Sequence, residues 1–210
     1  MNNINFSKND LKTGIKVPNK LTEDLAYLIG IHVGDGSMNY YEQKREYILS
    51  YTGHLIDEEE LYLNQVVTRF KLLFNKKPSI YKQYRDTTII VIIRSKGIFH
   101  FFHQEIGLPK GSKSAIEIPK IIQESSQKYK IKFLKGIADT EFCLTFKKKY
   151  KLKHYYPVIN YSTPNIVLIN QVKTSLLELG FMPLLGLNYQ TERNGKHLTT
   201  NQLELNGVKI

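Results

Sequence analysis

Apolar positions recur along this chain with two alternating periods. From Thr22 the spacing is helical. Thr22 suits an N-cap, Glu23 and Asp24 suit the positive end of the helix dipole, and the pattern runs to about Gly34. Tyr47–Thr52 reads as a strand. Glu58 to Phe74 returns to helical spacing, with Leu61, Val66, Phe70 and Leu73 among its apolar residues. Thr87–Ser95 is a β-branched strand run after a polar turn at Arg85-Asp86, and a short helix follows around Gly97–Glu105. Gly107–Gln127 shows little regular pattern and reads as a connection. The order then starts again: helix from Tyr129 to about Thr140, strands at Cys143–Tyr150 and Tyr155–Tyr161, helix Asn165–Leu179 stopped by Gly180, and a hairpin of Leu187–Gln190 and His197–Leu205 around Asn194-Gly195. No counterpart of the Phe99–Phe102 helix precedes Ile210.

The recurrence extends to residues. Leu28-Ile29-Gly30-Ile31-His32-Val33-Gly34-Asp35 matches Leu134-Lys135-Gly136-Ile137-Ala138-Asp139-Thr140-Glu141, with Gly third and an acid eighth. Asn64-Gln65-Val66-Val67-Thr68 recurs as Asn170-Gln171-Val172-Lys173-Thr174. Asn64 follows Asp35 by 29 residues, and Asn170 follows Glu141 by the same 29. Equal spacing between two matches marks an internal repeat. The expected fold is α+β: an N-terminal arm (1–20), a first repeat (21–106), a linker (107–127) and a second repeat (128–210).

Ala26, Gly30 and Gly34 lie four apart, which makes a bare stripe on one helix face and admits a second helix closely. Gly136 and Thr140 offer the matching stripe. The two motif helices are therefore expected to pack together about a pseudo-twofold axis, with Asp35 and Glu141 at the same end. Two carboxylates at the negative ends of two helix dipoles need a positive partner. A divalent cation, Mg²⁺ by preference, suits such hard oxygen ligands and can activate water for phosphodiester cleavage.

Charge narrows the partner. The chain of 210 residues carries 30 Lys and Arg against 19 Asp and Glu, a net charge of +11. That surplus points to a polyanion, nucleic acid first and an anionic membrane surface second. A single cysteine, Cys143, excludes a disulfide framework or a thiolate cluster. The apolar runs are too short to span a bilayer, and the N-terminus lacks the apolar core of a signal peptide. An intracellular protein is the expectation.

Leu21 to Gly30 with Gly34-Asp35-Gly36-Ser37, and Phe133 to Glu141, closely resemble the two motifs of monomeric LAGLIDADG homing endonucleases. The resemblance is strong at the motifs and looser elsewhere. It implies two αββαββα-like repeats whose antiparallel sheets form a DNA-binding saddle. It also implies cleavage of both strands of a long asymmetric target by a monomer using Mg²⁺, for which ions such as Mn²⁺ can substitute. Carried over residue by residue, the metal ligands are Asp35 and Glu141 with the carbonyls of Gly34 and Thr140. Lys113 and His54 stand where the family places basic or polar groups near the reaction. Asp139 matches Val33 and is expected to be structural. The chain departs from the family at Phe142, where Gly is usual. An intron RNA maturase, or a DNA-binding protein without catalysis, is the rival reading on the same scaffold.

DNA contacts are expected from Gln43 and Arg45 before the first strand run, from Lys82, Gln83, Arg85 and Arg94 in the first half, and from Gln190 and Arg193 in the second. Arg and Gln can contact guanine and adenine bidentately. Lys147, Lys149, Lys151 and Lys153 share one parity after the second motif, a face suited to phosphates.

Overall fold

The computed structural model describes residues 4–148, 155–193 and 196–206. The chain forms two compact units, Met1–Lys113 with Pro119–Asp139, and Ser114–Ile118 with Thr140–Ile210. Each holds a four-stranded antiparallel sheet. In the first the order is β1 (Gly36–Tyr41), β2 (Glu46–His54), β4 (Thr88–Arg94), β3 (Ser79–Gln83). In the second it is β5 (Phe142–Lys147), β6 (Tyr156–Thr163), β8 (Lys196–Asn206), β7 (Leu184–Arg193). The expected α+β duplication is thus present as the same strand order twice.

In the first unit, α2 (Glu23–Gly34) begins at Thr22, whose hydroxyl accepts from the Leu25 amide at 3.2 Å. Every residue from Leu25 to Gly34 is buried. Period-2 alternation turns Met38, Leu49, Tyr51, Ile89, Val91 and Ile93 inward. Against that face lie α4 (Thr68–Phe74) and α5 (Lys96–His100), the latter continued by a π-helical segment, Phe101–Glu105. Their rings form one cluster of Phe70, Phe74, Phe101 and Phe102.

Three elements depart from the sequence expectation. The Glu58–Phe74 helix is not uniform: α3 (Glu59–Leu61) passes through a π-helical segment, Tyr62–Val67, before α4. The 107–127 segment contains α6 (Lys120–Gln123) and buries Leu108, Ile116, Ile118 and Ile122. Before Lys20, α1 (Lys8–Lys12) carries a Ser7/Asp10 capping box, and the buried Asp10 carboxylate also accepts from the Gly97 amide at 3.0 Å. That second bond ties the N-terminal residues to the start of α5.

The second motif helix, α7 (Gln127–Glu141), packs on α2 through glycine. A Cβ built on Gly30 would run into the Phe133 carbonyl and lie 3.0 Å from the Gly136 Cα. A Cβ on Gly136 would meet the Tyr27 carbonyl in turn. Only glycine at both positions lets the two backbones touch.

In the second unit, α8 (Ile166–Glu178) is capped by Asn165, which accepts from the Val167 and Leu168 amides. It buries Leu168, Ile169, Val172 and Leu176 and packs on β6 and β8. Gly180, at φ +83°, ends it as expected. Part of this sheet face is uncovered. Leu144 and Ile159 are 58% and 41% exposed, whereas their register counterparts Met38 and Leu49 are buried. In the first unit α5 lies against β2; no helix follows β8 among the described residues.

Candidate active site

Asp35 is the C-cap of α2, and its amide donates to the Ile31 carbonyl at 2.9 Å. Its side chain is half-buried and partnered. The Tyr62 hydroxyl lies 2.7 Å from Asp35 Oδ2 and 2.9 Å from the Thr52 carbonyl. The Lys113 ammonium donates to the carbonyls of Val33, at 3.2 Å, and Gly34. A cation here offsets both the helix dipole and the acid. Burial nevertheless pushes the Asp35 carboxyl above the ordinary aspartate range, helped by the charge of Glu58 and opposed by Tyr62 and Lys113.

His32, one turn earlier, is fully buried. Its Nδ1 lies 3.0 Å from the Tyr51 hydroxyl, and its ring packs against Phe102. Desolvation, with the Lys113 charge, pushes its pKa down to about 3, so the imidazole is neutral. Gly36 sits against this ring, and any Cβ there would strike it.

Asp139 is held by the Tyr27 hydroxyl at 2.6 Å, which links α7 to α2. The Tyr27 ring carries the Arg69 guanidinium 4.1 Å above it, and Arg69 Nε lies 3.1 Å from Asp24 as an ion pair. His54 stands at the end of β2 with Nδ1 2.7 Å from Asp57, and Glu58 accepts from its amide. Glu141 is the last residue of α7 and is exposed; its charge, behind burial, raises the Tyr161 pKa. Thr140 precedes it, half-buried.

No family model matches the chain. An uncharacterised protein of Methanocaldococcus jannaschii is 26% identical over 211 residues, covering 93% of this chain and 69% of its own length. Among solved structures, the homing endonuclease I-DmoI in complex with DNA and Ca aligns over 87% of this chain and 82% of its own, with a TM-score of 0.59 at 21% identity. The LAGLIDADG homing endonuclease I-GzeII with its DNA target aligns over 90% and 79%, with a TM-score of 0.53 at 11% identity. The chain has the LAGLIDADG homing endonuclease fold.

Within that fold, the Phe142 departure has a local logic. Gly36 pairs with Tyr51 across β1 and β2, and Phe142 pairs with Tyr161 across β5 and β6. In the first repeat Tyr51 is met by the bulky His32, and glycine follows the acid. The second repeat has the small Ala138 at the His32 position, and Phe142 itself stacks on Tyr161, with centroids 5.1 Å apart. Bulk has moved from one motif position to the other, and the tyrosine keeps an aromatic partner in both.

The proposed DNA-contacting residues of the LAGLIDADG fold are scattered. Arg45 and Arg94 line one cleft with Lys96 and Ser7. Gln83 and Arg94 are exposed, Gln83 in the wholly exposed β3 and Arg94 on the opposite side of β4 from the buried Ile89, Val91 and Ile93. Gln43 lies in a 3₁₀ turn and Arg85 in the β3–β4 turn, both exposed. Lys82 is paired with Glu59, Lys147 with Glu204, and Gln190 with Thr199 at 3.0 Å, so each has a protein partner. Lys149, Lys151, Lys153 and the Arg193 side chain lie outside the described residues. The residue that sequence reasoning missed is Tyr62; its only local signal was a tyrosine in the apolar phase of a helix.

Proposed function

We propose that this chain is a site-specific DNA endonuclease in which Asp35 serves one strand of the target and Glu141 the other. The observation that carries the reading is the setting of Asp35. A half-buried carboxylate closes a glycine-packed helix, with Tyr62 on one oxygen and Lys113 on the adjoining carbonyls. A group of this kind is held in place for chemistry rather than for solvation. Two further facts support it: the net charge of +11, and structural neighbours described as homing endonucleases in complex with DNA and Mn or Ca.

The donor set fits a divalent cation. Among the described residues no three His, Cys, Asp or Glu side chains cluster to hold a metal. Mg²⁺ takes one or two carboxylates, keeps several waters and completes its shell with substrate phosphate oxygens, so it needs no such cage. When bound, the ion supplies Lewis acidity to the phosphodiester and lowers the pKa of water. Asp35 would hold such an ion in the first repeat and Glu141 in the second, with the Gly34 and Thr140 carbonyls as added donors. Lys113 places positive charge beside Asp35, where phosphate charge builds up during displacement. The neutral His32 fixes Tyr51 and the end of α2. The exposed cations of the open sheet face meet backbone phosphates, and Gln43, Gln83 and Gln190 are the candidates for reading bases.

The test is selection from a plasmid library of random targets, incubated with the protein in Mg²⁺ and, separately, in Ca²⁺. Linearised plasmids carrying a common long asymmetric site are expected in Mg²⁺. Failure to recover any linear plasmid, alongside tight binding of intron RNA, would favour a maturase and overturn the proposal.

A further inference from the structure

We infer that Tyr62 is a positioning residue for Asp35 whose matching position in the second repeat, Leu168, carries no hydroxyl, so that cleavage of only one strand depends on it. The inference rests on the endonuclease reading above.

The geometry is specific. The Tyr62 side chain is fully buried, and its hydroxyl reaches Asp35 Oδ2 at 2.7 Å and the Thr52 carbonyl at 2.9 Å. A phenol has one proton. Facing an ionised carboxylate and a neutral carbonyl, it donates to the carboxylate, because the charge-assisted bond is the stronger. That bond holds Oδ2 and leaves Oδ1 available for an incoming ion.

Two irregular features bring the ring to this place. Tyr62 opens the π-helical segment Tyr62–Val67, and such single-turn insertions concentrate at functional sites. Gly53, the last residue but one of β2, is the second. A Cβ there would lie 2.8 Å from Tyr62 Cζ and closer still to the ring edge, so the strand gives up a side chain to admit the ring.

Among the described residues, the matching positions of the second repeat lack all three features. The offset that carries Asp35 to Glu141 carries Tyr62 to Leu168, which has no hydroxyl. Leu168 lies in the regular helix Ile166–Glu178, without a π-helical turn. Register places Thr163, not glycine, at the Gly53 position. Ordinary core packing explains a buried tyrosine. It does not explain a π-turn and a strand glycine that are both present where the hydroxyl is present and both missing where it is missing.

The experiment uses the full chain and Tyr62→Phe, which keeps the ring. A selected target is labelled on each strand, and strand cleavage is timed in Mg²⁺ for wild type, Tyr62→Phe and Asp35→Asn. Tyr62→Phe is expected to slow one strand by roughly tenfold to a hundredfold, the equivalent of one charged hydrogen bond. The other strand should stay within about twofold, the scatter expected for a site left untouched. The slowed strand must be the one that Asp35→Asn loses, and nicked DNA must accumulate. Equal slowing of both strands, no slowing, or slowing of the wrong strand overturns the assignment. Crystal structures of the wild type and Tyr62→Phe read the same point without catalysis. A displaced or split Asp35 carboxylate supports positioning, and an unchanged rotamer overturns it. If the wild type cuts no DNA, the endonuclease reading falls alone, and the crystal comparison still decides Tyr62.

Discussion

Gly30→Ala adds one methyl group at the point where α2 and α7 touch. In an isolated helix this change is favourable, because alanine is about 1 kcal/mol better than glycine in a helix interior. The structure reverses the sign. The new Cβ would collide with the Phe133 carbonyl and lie 3.0 Å from the Gly136 Cα, and both obstacles are backbone. No rotamer change relieves them, so the helices must separate by up to about 1 Å, which forfeits a quarter to a half of each dispersion contact along the seam. Overpacking typically costs about 1–3 kcal/mol, and a backbone obstacle puts this case at the upper end. After the propensity gain, the net loss is about 2 kcal/mol, or a Tm lowered by about 4–8 °C for a chain of this length. Thermal and urea unfolding of Gly30→Ala beside wild type measures it. A Tm equal to or above wild type would show that the motif helices are not in backbone contact, and the packing argument would fail.

Two further outcomes follow from the charges. The His32 pKa, about 3 when folded and about 6.5 when unfolded, means that the unfolded chain takes up the proton first. The stability is therefore present above pH 6.5 and lost as pH falls toward 3, about 2 kcal/mol of it by pH 5. Stability measured from pH 7 to pH 5 should show this slope in the wild type and lose it in His32→Gln; equal slopes would remove His32 as the cause. DNA affinity should fall steeply with salt, and Arg94→Gln should reduce the log–log slope by about 1. An unchanged slope takes Arg94 out of the interface.

What the sequence made legible was whatever its periodicity or local chemistry could encode. Thr22 as a cap, Gly180 as a stop and the β-branched strand at Thr87–Ser95 are local statements, and the structure repeats them, the strand as Thr88–Arg94. The Gly30/Gly136 contact was legible because small residues four apart have one obvious use. β3 left no strand signal in the sequence, because all five of its residues are exposed and no alternation marks it. The π-helical turn at Tyr62–Val67 was hidden because an extra residue in a turn leaves an apolar pattern that still looks helical. Contacts between distant residues that no repeat or small-residue stripe marks left no signal in the sequence. Tyr62 meets Asp35 from 27 residues away, and Lys113 meets Gly34 from 79. Both motif acids were readable from the repeat itself. What holds Asp35 in place was legible only for Lys113, which the family resemblance put near the reaction, and not for Tyr62, which reaches it from a π-helical turn.

The most direct test of the central claim is strand-resolved cleavage by Asp35→Asn on a selected target. One acid per strand predicts nicked circles in Mg²⁺, all cut on the same strand, with DNA binding in Ca²⁺ close to wild type. Linear product at the wild-type rate would contradict the account, because Asp35 would then have no part in cutting either strand.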